Sequence, residues 1–540
     1  MDPIPVTIVL GSIVALVVMR LMRIGKRPPS LPPGPPTTPV LGNLLMFPRE
    51  NAYLKFTHWA REYGGMFSAS LLLMMFDNPF IVISDPRLVR ELIERKGGSV
   101  ADRPHSHLID TVTDGKYLTF ARYSNNWRTA RTMLQKALTK EACLQYLPIM
   151  QAEATQLLYN MVTTPDNFFP DTTRFAYSVA ATVLIGTRAP SSESPILKKF
   201  FHMIEEWSGL LEPGSQPPID LIPILKYLPA RWAKWKGLCT DIRRQQYELY
   251  DGFITMCEKR IANNLRNGSL LEGVIADQKL GTDRILIRGT IGAFLEGGTD
   301  TTSLFLKSLI LMLTSSPDAQ AKAHKEIDAI IGNDRLPTLA DFVDLPYCQA
   351  IMKEVLRIRP MVPIGVPHNV TKEEVIDGYV IPVGATVFMN QFGILHDPEA
   401  YDNPDLFIPD RFLTSEFGTK LGANINGRSN ETHFGAGRRV CVGMNLANNA
   451  MITNTMNFLW AFDFKPVTDP STGEPIPVDI NNYSEGIATS PRPFKCEIRP
   501  RSPVHAALIR KELLVARPIF ERYEYGLSPE EVKYASSLGA

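Results

Sequence analysis

Residues 432–447 read THFGAGRRVCVGMNLA, setting one cysteine, three glycines and two arginines in a single turn-rich run. Cys441 has no second cysteine two or four residues away, so neither a zinc ribbon nor a local disulfide accounts for it. The glycines at 435, 437 and 443 let the backbone pass close to a flat object or turn its amides inward. The stretch that follows, MNLANNAMITNTMNFLWAF, is helical in pattern. The thiol therefore precedes a helix N-terminus, where the macrodipole and free N–H groups favour a thiolate. Arg438 and Arg439 add positive charge for a nearby anion. A lone thiol in such a nest is either a nucleophile or an axial ligand to iron. A nucleophile needs a base, and His433 stands close to it in sequence.

The other cysteines (143, 239, 257, 348 and 496) are scattered singly along 540 residues, which suits a reduced, cytosol-facing setting better than a disulfide scaffold. A formal net charge of +1, with 44% hydrophobic and 21% charged residues, is that of an ordinary globular protein. No Lys/Arg excess is on hand to neutralise phosphates, which points away from nucleic acid as a partner.

The N-terminus is different. Residues 6–19, VTIVLGSIVALVVM, carry no charge, and Arg20, Arg23, Lys26 and Arg27 follow while only Asp2 precedes. With Ile4, Leu21 and Met22 the apolar stretch reaches about 17–19 residues, enough for a tilted span. The positive-inside rule then places the bulk of the chain in the cytosol. A cleaved secretory signal is the rival, but the charge before the apolar run and the A-x-A site are both missing. The expectation is a single-pass anchor over residues 1–27, joined by a stiff proline-rich hinge over 28–37.

From Thr38 to residue 501 no repeat or linker interrupts the pattern, which predicts one helix-rich α+β domain with small sheets. Residues 79–97 read as strand, turn and helix; 127–161, 172–187 and 229–266 read as helices. The proline-studded stretch 210–229, LLEPGSQPPIDLIPILKYLP, is apolar and fits a lid or a membrane-dipping loop. Residues 284–315 predict a buried helix about 48 Å long that stops at Ser316-Pro317. Its centre, EGGTDTT (296–302), breaks helix rules with two glycines costing about 1 kcal/mol each. Such a breach marks a functional site, or else glycines that admit a neighbouring helix. KEEVIDGYVIPVGATVFMNQ (372–391) reads as a hairpin pair, and residues 502–540 form an extension with one amphipathic helix.

Taken together these residues resemble a known family. The run Phe434-x-x-Gly437-x-Arg439-x-Cys441-x-Gly443 matches the haem-binding loop of the cytochrome P450 superfamily at every fixed position. Trp127-x-x-x-Arg131 resembles its propionate-contacting helix, and Gly297-Gly298-Thr299-Asp300-Thr301-Thr302 its oxygen-activation motif. Glu354-x-x-Arg357 and Pro409-Asp410-Arg411-Phe412 are similar to its buried Glu/Arg network. Singly, the Trp/Arg pair would be surface stacking and the Glu/Arg pair a solvated helix bridge. Their joint order and spacing carry the resemblance, over about residues 30–500. The anchor and the PPGPP hinge are similar to those of microsomal members.

What the resemblance implies follows residue by residue. Cys441 is the thiolate ligand of haem b, the iron protoporphyrin whose O–O cleavage it promotes. Phe434, Gly437 and Gly443 shape the haem loop, while Trp127, Arg131, His368 and Arg439 hold the propionates. Asp300 and Thr301 are catalytic, ordering proton delivery to bound oxygen. Glu354, Arg357 and Arg411 are structural. Members that do not use O2 often lose the acid and alcohol, so their presence favours a monooxygenase. With no G-x-G-x-x-G or flavodoxin-like segment, the electrons come from a separate NADPH-dependent flavoprotein reductase docking on the cysteine side. The implied pocket is lined by 103–119, 201–230, Phe294, Gly298, 361–366 and the NNYSEGIATS loop. Mostly apolar walls suit a hydrophobic small molecule. The overall flavour is similar to fungal natural-product monooxygenases, with an endoplasmic reticulum membrane location. A haem-thiolate isomerase or coupling enzyme, and a haem-binding sensor or carrier, are the alternatives.

Overall fold

The computed structural model describes residues 10–12, 15–16, 27–38, 42–48, 50–69, 79–212, 214–220, 222–277 and 283–539. The expected anchor over 1–27 falls largely outside these residues, and none of the described helices is long and apolar enough to cross a membrane.

The helices that build and surround the site are, in chain order, α1 (Asn125–Ala137), α2 (Leu147–Thr163), α3 (Phe168–Ile185), α4 (Pro195–Leu211) and α5 (Lys234–Ala262). They continue with α6 (Arg284–Ser315), α7 (Pro346–Ile358), α8 (Met444–Ala461), α9 (Pro503–Glu521) and α10 (Pro529–Ser537). The central helix α6 has the bounds its pattern predicts. The Asp283 carboxylate accepts from Leu286 N–H at 3.0 Å to cap its start, and Pro317 opens the next helix after its end. Leu295, Phe305, Leu306 and Leu309 are fully buried on it because α3 and α8 pack along its length.

Three expectations need correction. Residues 127–161 form three helices and not one: α1, Lys140–Leu144 and α2. The Thr139 hydroxyl caps the middle piece by accepting from Ala142 N–H at 3.1 Å, and Pro148 belongs in the first turn of α2, where its missing N–H costs nothing. Residues 229–233 stay out of α5, and 223–227 and 230–232 make short 3-10 turns instead. The late strands also pair differently. Strands β1 (Met66–Ala69), β2 (Phe80–Ile83), β3 (His368–Asn369) and β6 (Thr386–Met389) make one sheet in the order β1-β2-β6-β3. Between β3 and β6, β4 (Glu374–Ile376) and β5 (Tyr379–Ile381) form a tight hairpin on Asp377-Gly378, both at positive φ (53° and 83°), as such a turn demands. β6 leaves that hairpin and runs parallel to β2 in the register Phe80↔Thr386.

A third sheet, β7 (Phe462–Pro466) with β8 (Cys496–Pro500), leads into the C-terminal extension. There α9 lies on α2, burying Leu513, Ala516 and Phe520 against Ile149 and Ala152. Arg188 N–H donates to Tyr523 O at 3.0 Å and fastens the chain beyond α9 to the turn after α3.

Candidate active site

The cysteine loop is closed by its own backbone: Cys441 N–H donates to Phe434 O at 2.9 Å. Gly437 sits at φ +63°, and a Cβ there would lie 2.2 Å from Ile93 O, so only glycine lets the loop rest on the 90–95 turn. Of the ten residues singled out by sequence, Gly437 is the one that does not line the cavity above the loop; it acts from beneath. The other nine line one cavity of about 510 Å³. Cys441 faces into it, solvent-accessible from the cavity side. Burial pushes the thiol up, while the Gly443 amide and the Arg131 charge pull it back only in part.

One rim of the cavity is cationic. The Arg439 guanidinium donates to Ala101 O (2.7 Å) and Ala121 O (2.8 Å) and stacks on the Trp127 ring with 4.2 Å to its centroid. Burial brings it down to about 10. Arg131 keeps a buried Nε with no protein partner. Arg103, which sequence reasoning placed only within a lining loop, donates to Thr119 O, Val366 O and Pro367 O at 2.7–3.0 Å. Asp102, the carboxylate next to them, is already engaged by Arg122 (2.6 Å) and Tyr123 N–H (2.7 Å). Three guanidiniums thus share a cavity wall, Arg103 and Arg439 bonded to neutral carbonyls and Arg131 with an unpartnered Nε. That arrangement fits a cofactor carrying carboxylates, and the thiol in the same cavity fits its iron. His368 is a more conditional member. Its Nδ1 bonds Val100 O at 2.9 Å, and burial beside Arg103 and Arg439 pushes it down to about 3. As a neutral ring donating through Nδ1, it offers an acceptor at Nε2 and donates to an anion only once protonated. Burial likewise takes His433 down to about 3; its Nε2 is buried without a partner, and no bond joins it to Cys441.

α6 supplies another wall, and its two glycines do different jobs. A Cβ on Gly298 would stand 3.2 Å from Ala180 Cβ, so Gly298 admits α3; one on Gly297 would meet nothing within 4 Å. The packing reading of the EGGTDTT motif therefore accounts for Gly298 and leaves Gly297 unexplained by packing. Thr301 Oγ1 donates to Gly297 O at 2.7 Å, which fixes its rotamer and leaves its oxygen as an acceptor. Burial pushes the Asp300 carboxyl up to about 6, against the opposing charge of Lys307. Four residues earlier, Glu296 receives the hydroxyls of Tyr117 and Tyr250. No sequence argument named this cluster, although an acid inside an otherwise buried helix was a visible signal.

Glu354, Arg357 and Arg411 do form a network, and none of them lines the cavity. Arg357 donates to Glu354 through Nε (2.7 Å) and Nη2 (2.9 Å), Arg411 at 3.1 Å, and Ile408 N–H at 2.8 Å. The carboxylate is fully buried, so the solvated-bridge alternative falls. The remaining walls include the segments expected (117–120, Trp207 to Glu212, Phe294, Met361 to Val366, and 485–488) and, unforeseen, Phe175 and Val179 of α3 and Leu446 and Ala450 of α8.

Compared with known proteins, residues 32–498 match the family model described as Cytochrome P450. A cytochrome P450 monooxygenase of Armillaria gallica is 46% identical over 507 residues, covering 94% of this chain and 96% of its own. Cytochrome P450 monooxygenase yanC of Aspergillus niger is 34% identical, covering 89% and 91%. Cytochrome P450 monooxygenase patI of Penicillium expansum is 33% identical, covering 96% and 98%.

Proposed function

Because this chain belongs to the cytochrome P450 family of haem-thiolate monooxygenases, we propose that Cys441 is its iron ligand and that the cavity above takes a hydrophobic small molecule of fungal secondary metabolism. The observation that carries this reading is the single cavity shared by the Cys441 thiol, the anion-poor arginine rim and the Asp300-Thr301 pair. Haem b bound there supplies O2 activation and transfer of one oxygen atom to substrate, the other leaving as water on two electrons from an NADPH-dependent reductase. Arg131, Arg439 and Arg103 would hold its carboxylates by charge-assisted bonds, with Trp127 bracing Arg439 from behind. The Thr301 oxygen, held by Gly297 O, presents an acceptor at a set position. Asp300, titrating near 6, takes up and gives back a proton near neutral pH, so the two make a relay. Phe294, Val362 and Ala488 keep water from the reacting carbon.

A membrane location belongs to the same proposal. Besides the uncharged stretch 6–19, Ile224 (73% exposed), Tyr227 (84%) and Trp232 (67%) stand out among Lys226, Arg231 and Lys234, a composition suited to a headgroup interface. An endoplasmic reticulum anchor with the catalytic domain facing the cytosol leaves the exposed sequons at Asn430 and Asn482 without glycan. A mobility shift on endoglycosidase treatment would reverse that orientation.

The decisive test has two parts. Cys441→Ala should abolish the ~450 nm band of the reduced carbon-monoxide complex, and its survival removes the iron-ligand role. Incubation of the parent with reductase, NADPH and a panel of aromatic compounds should give products heavier by one oxygen. Products of unchanged mass would mark a rearranging enzyme instead.

A further inference from the structure

Glu296 is the best-braced acid on the cavity wall, and the relay just described does not use it. The Tyr117 hydroxyl meets one of its carboxyl oxygens and the Tyr250 hydroxyl the other at 2.8 Å, while the Trp207 side chain stands against the same group. Three separate elements converge on it from outside α6: the 117–120 segment, α4 and α5. The convergence is built into α6. A Cβ on Gly289 would lie 2.3 Å from Lys116 O, and one on Gly292 2.9 Å from the Tyr250 hydroxyl. Glycines at 289 and 292, on the face of α6 that carries Glu296, are what allow the two tyrosines to arrive. Tyr117, Trp207 and Glu296 all border the cavity. Tyr117 stacks on Phe120 at 5.7 Å and lies 5.8 Å from Trp207, giving this part of the cavity an aromatic lining.

Proton counting shows what such a cluster lacks. Burial and the nearby Asp300 push Glu296 up to about 8, so at neutral pH the carboxyl is mostly protonated. Three hydroxyl protons then share two oxygen–oxygen contacts. Whichever oxygen carries the extra one, one O–H has no acceptor in the cluster, and an unmet buried donor is costly. Both Tyr117 and Glu296 border the cavity, so the acceptor can come from there.

We propose that Glu296, clamped by Tyr117 and Tyr250, is a substrate-positioning residue that holds a flat aromatic substrate through a neutral acceptor oxygen: a carbonyl, ether or hydroxyl. An ammonium is the wrong partner, since it has only donors to offer and the carboxyl meets it uncharged. The inference rests on the reading of this cavity as the substrate site.

The test is equilibrium dialysis of the haem-loaded full chain with fluorenone, fluorene and 9-aminofluorene, which share one skeleton. Each preparation is first checked for the reduced carbon-monoxide band, so that a failure of the haem reading is seen separately. In Glu296→Leu the fluorenone-to-fluorene affinity ratio should fall about tenfold, the size of one hydrogen bond to a buried donor. Glu296→Gln, whose amide still donates, should keep the ratio within about threefold of the parent. A fall below threefold in Glu296→Leu overturns the proposal. So does 9-aminofluorene binding tightest to the parent at a pH where its amine is protonated, which would mean an ionised carboxylate. Should Glu296→Leu fail to load haem, the parent alone decides through pH. The titratable groups facing this carboxyl are Tyr117, Tyr250 and Asp300, with Tyr177 behind Tyr250. The tyrosines are pushed well above their ordinary value and Asp300, near 6, is ionised by about pH 7.5, so among these groups only Glu296 titrates between about pH 7.5 and 9.5; Lys307, brought down to about 8, answers Asp300 and not this carboxyl. The ratio should fall as pH rises through about 8, because ionisation removes the donor. A ratio constant over that range overturns the proposal equally.

Discussion

Phe520→Ala tests whether the C-terminal extension is part of the folded unit. Phe520 is 1% exposed, and its ring packs with Ile149, Ala152, Leu513 and Ala516. The Arg188 guanidinium lies over it, 3.8 Å from the centroid. Arg188 is itself fully buried between Glu153 (2.8 Å), Gln156 and Glu524 (3.1 Å), so the ring is one wall of a buried ion network. Truncating a core phenylalanine costs about 3–5 kcal/mol, and a desolvated cation–π contact about 2. The two overlap, because much of the first figure is the ring's contact with its neighbours, which gives about 4 kcal/mol in all. Unfolding entropy near 2.1 cal/mol/K per residue comes to about 1.1 kcal/mol/K for 540 residues. A drop of about 3–4 °C in the unfolding midpoint is therefore expected, followed by tryptophan emission at one fixed scan rate. Leu514→Ala, at a 57%-exposed position of the same helix, should move it by less than about 1 °C. Equal shifts in the two variants, or none in Phe520→Ala, would refute the packing argument.

Three further outcomes are expected. Glu354→Gln leaves the 1%-exposed Arg357 side chain without its counter-charge, a loss of about 3–5 kcal/mol, and the yield of haem-loaded protein should collapse; a normal yield means the network is dispensable. Gly437→Ala combines a strained φ with a backbone collision and should not load haem. Gly435→Ala, at φ +82° and ψ −165° where a Cβ is strained but meets nothing within 4 Å, should load it at a cost of about 1–3 kcal/mol, and matching absorbance spectra of the two would contradict this. Thr301→Ala should bind ligand as the parent does, yet spend NADPH on hydrogen peroxide and lose product on the order of 10²–10⁴-fold, unless water stands in for the hydroxyl. Thr302→Ala, about 100° round the helix, should uncouple less; full coupling in Thr301→Ala would end the relay role.

The cysteine loop, the span of α6 and the Glu354–Arg357 pair are legible along the chain. Each of these is written in neighbours: glycines whose φ the loop needs, a cap and a proline at the helix ends, a charge pair one turn apart on α7. Local geometry alone settles such features. Other features depend on residues far apart in the chain. β6 passes over its neighbouring hairpin for β2, about three hundred residues earlier, because the hairpin turn satisfies β4 and β5 between themselves. Arg103 joins the rim only when its loop folds back to the carbonyls of 366 and 367. The anion-poor state of that rim follows from Asp102 being engaged elsewhere, which no spacing reveals. The partners of Glu296 come from residues 117 and 250, and those of Arg188 from α2 and the chain beyond α9. In each case a buried charge or hydroxyl must find a partner, and the packed chain, not local spacing, decides which one is within reach.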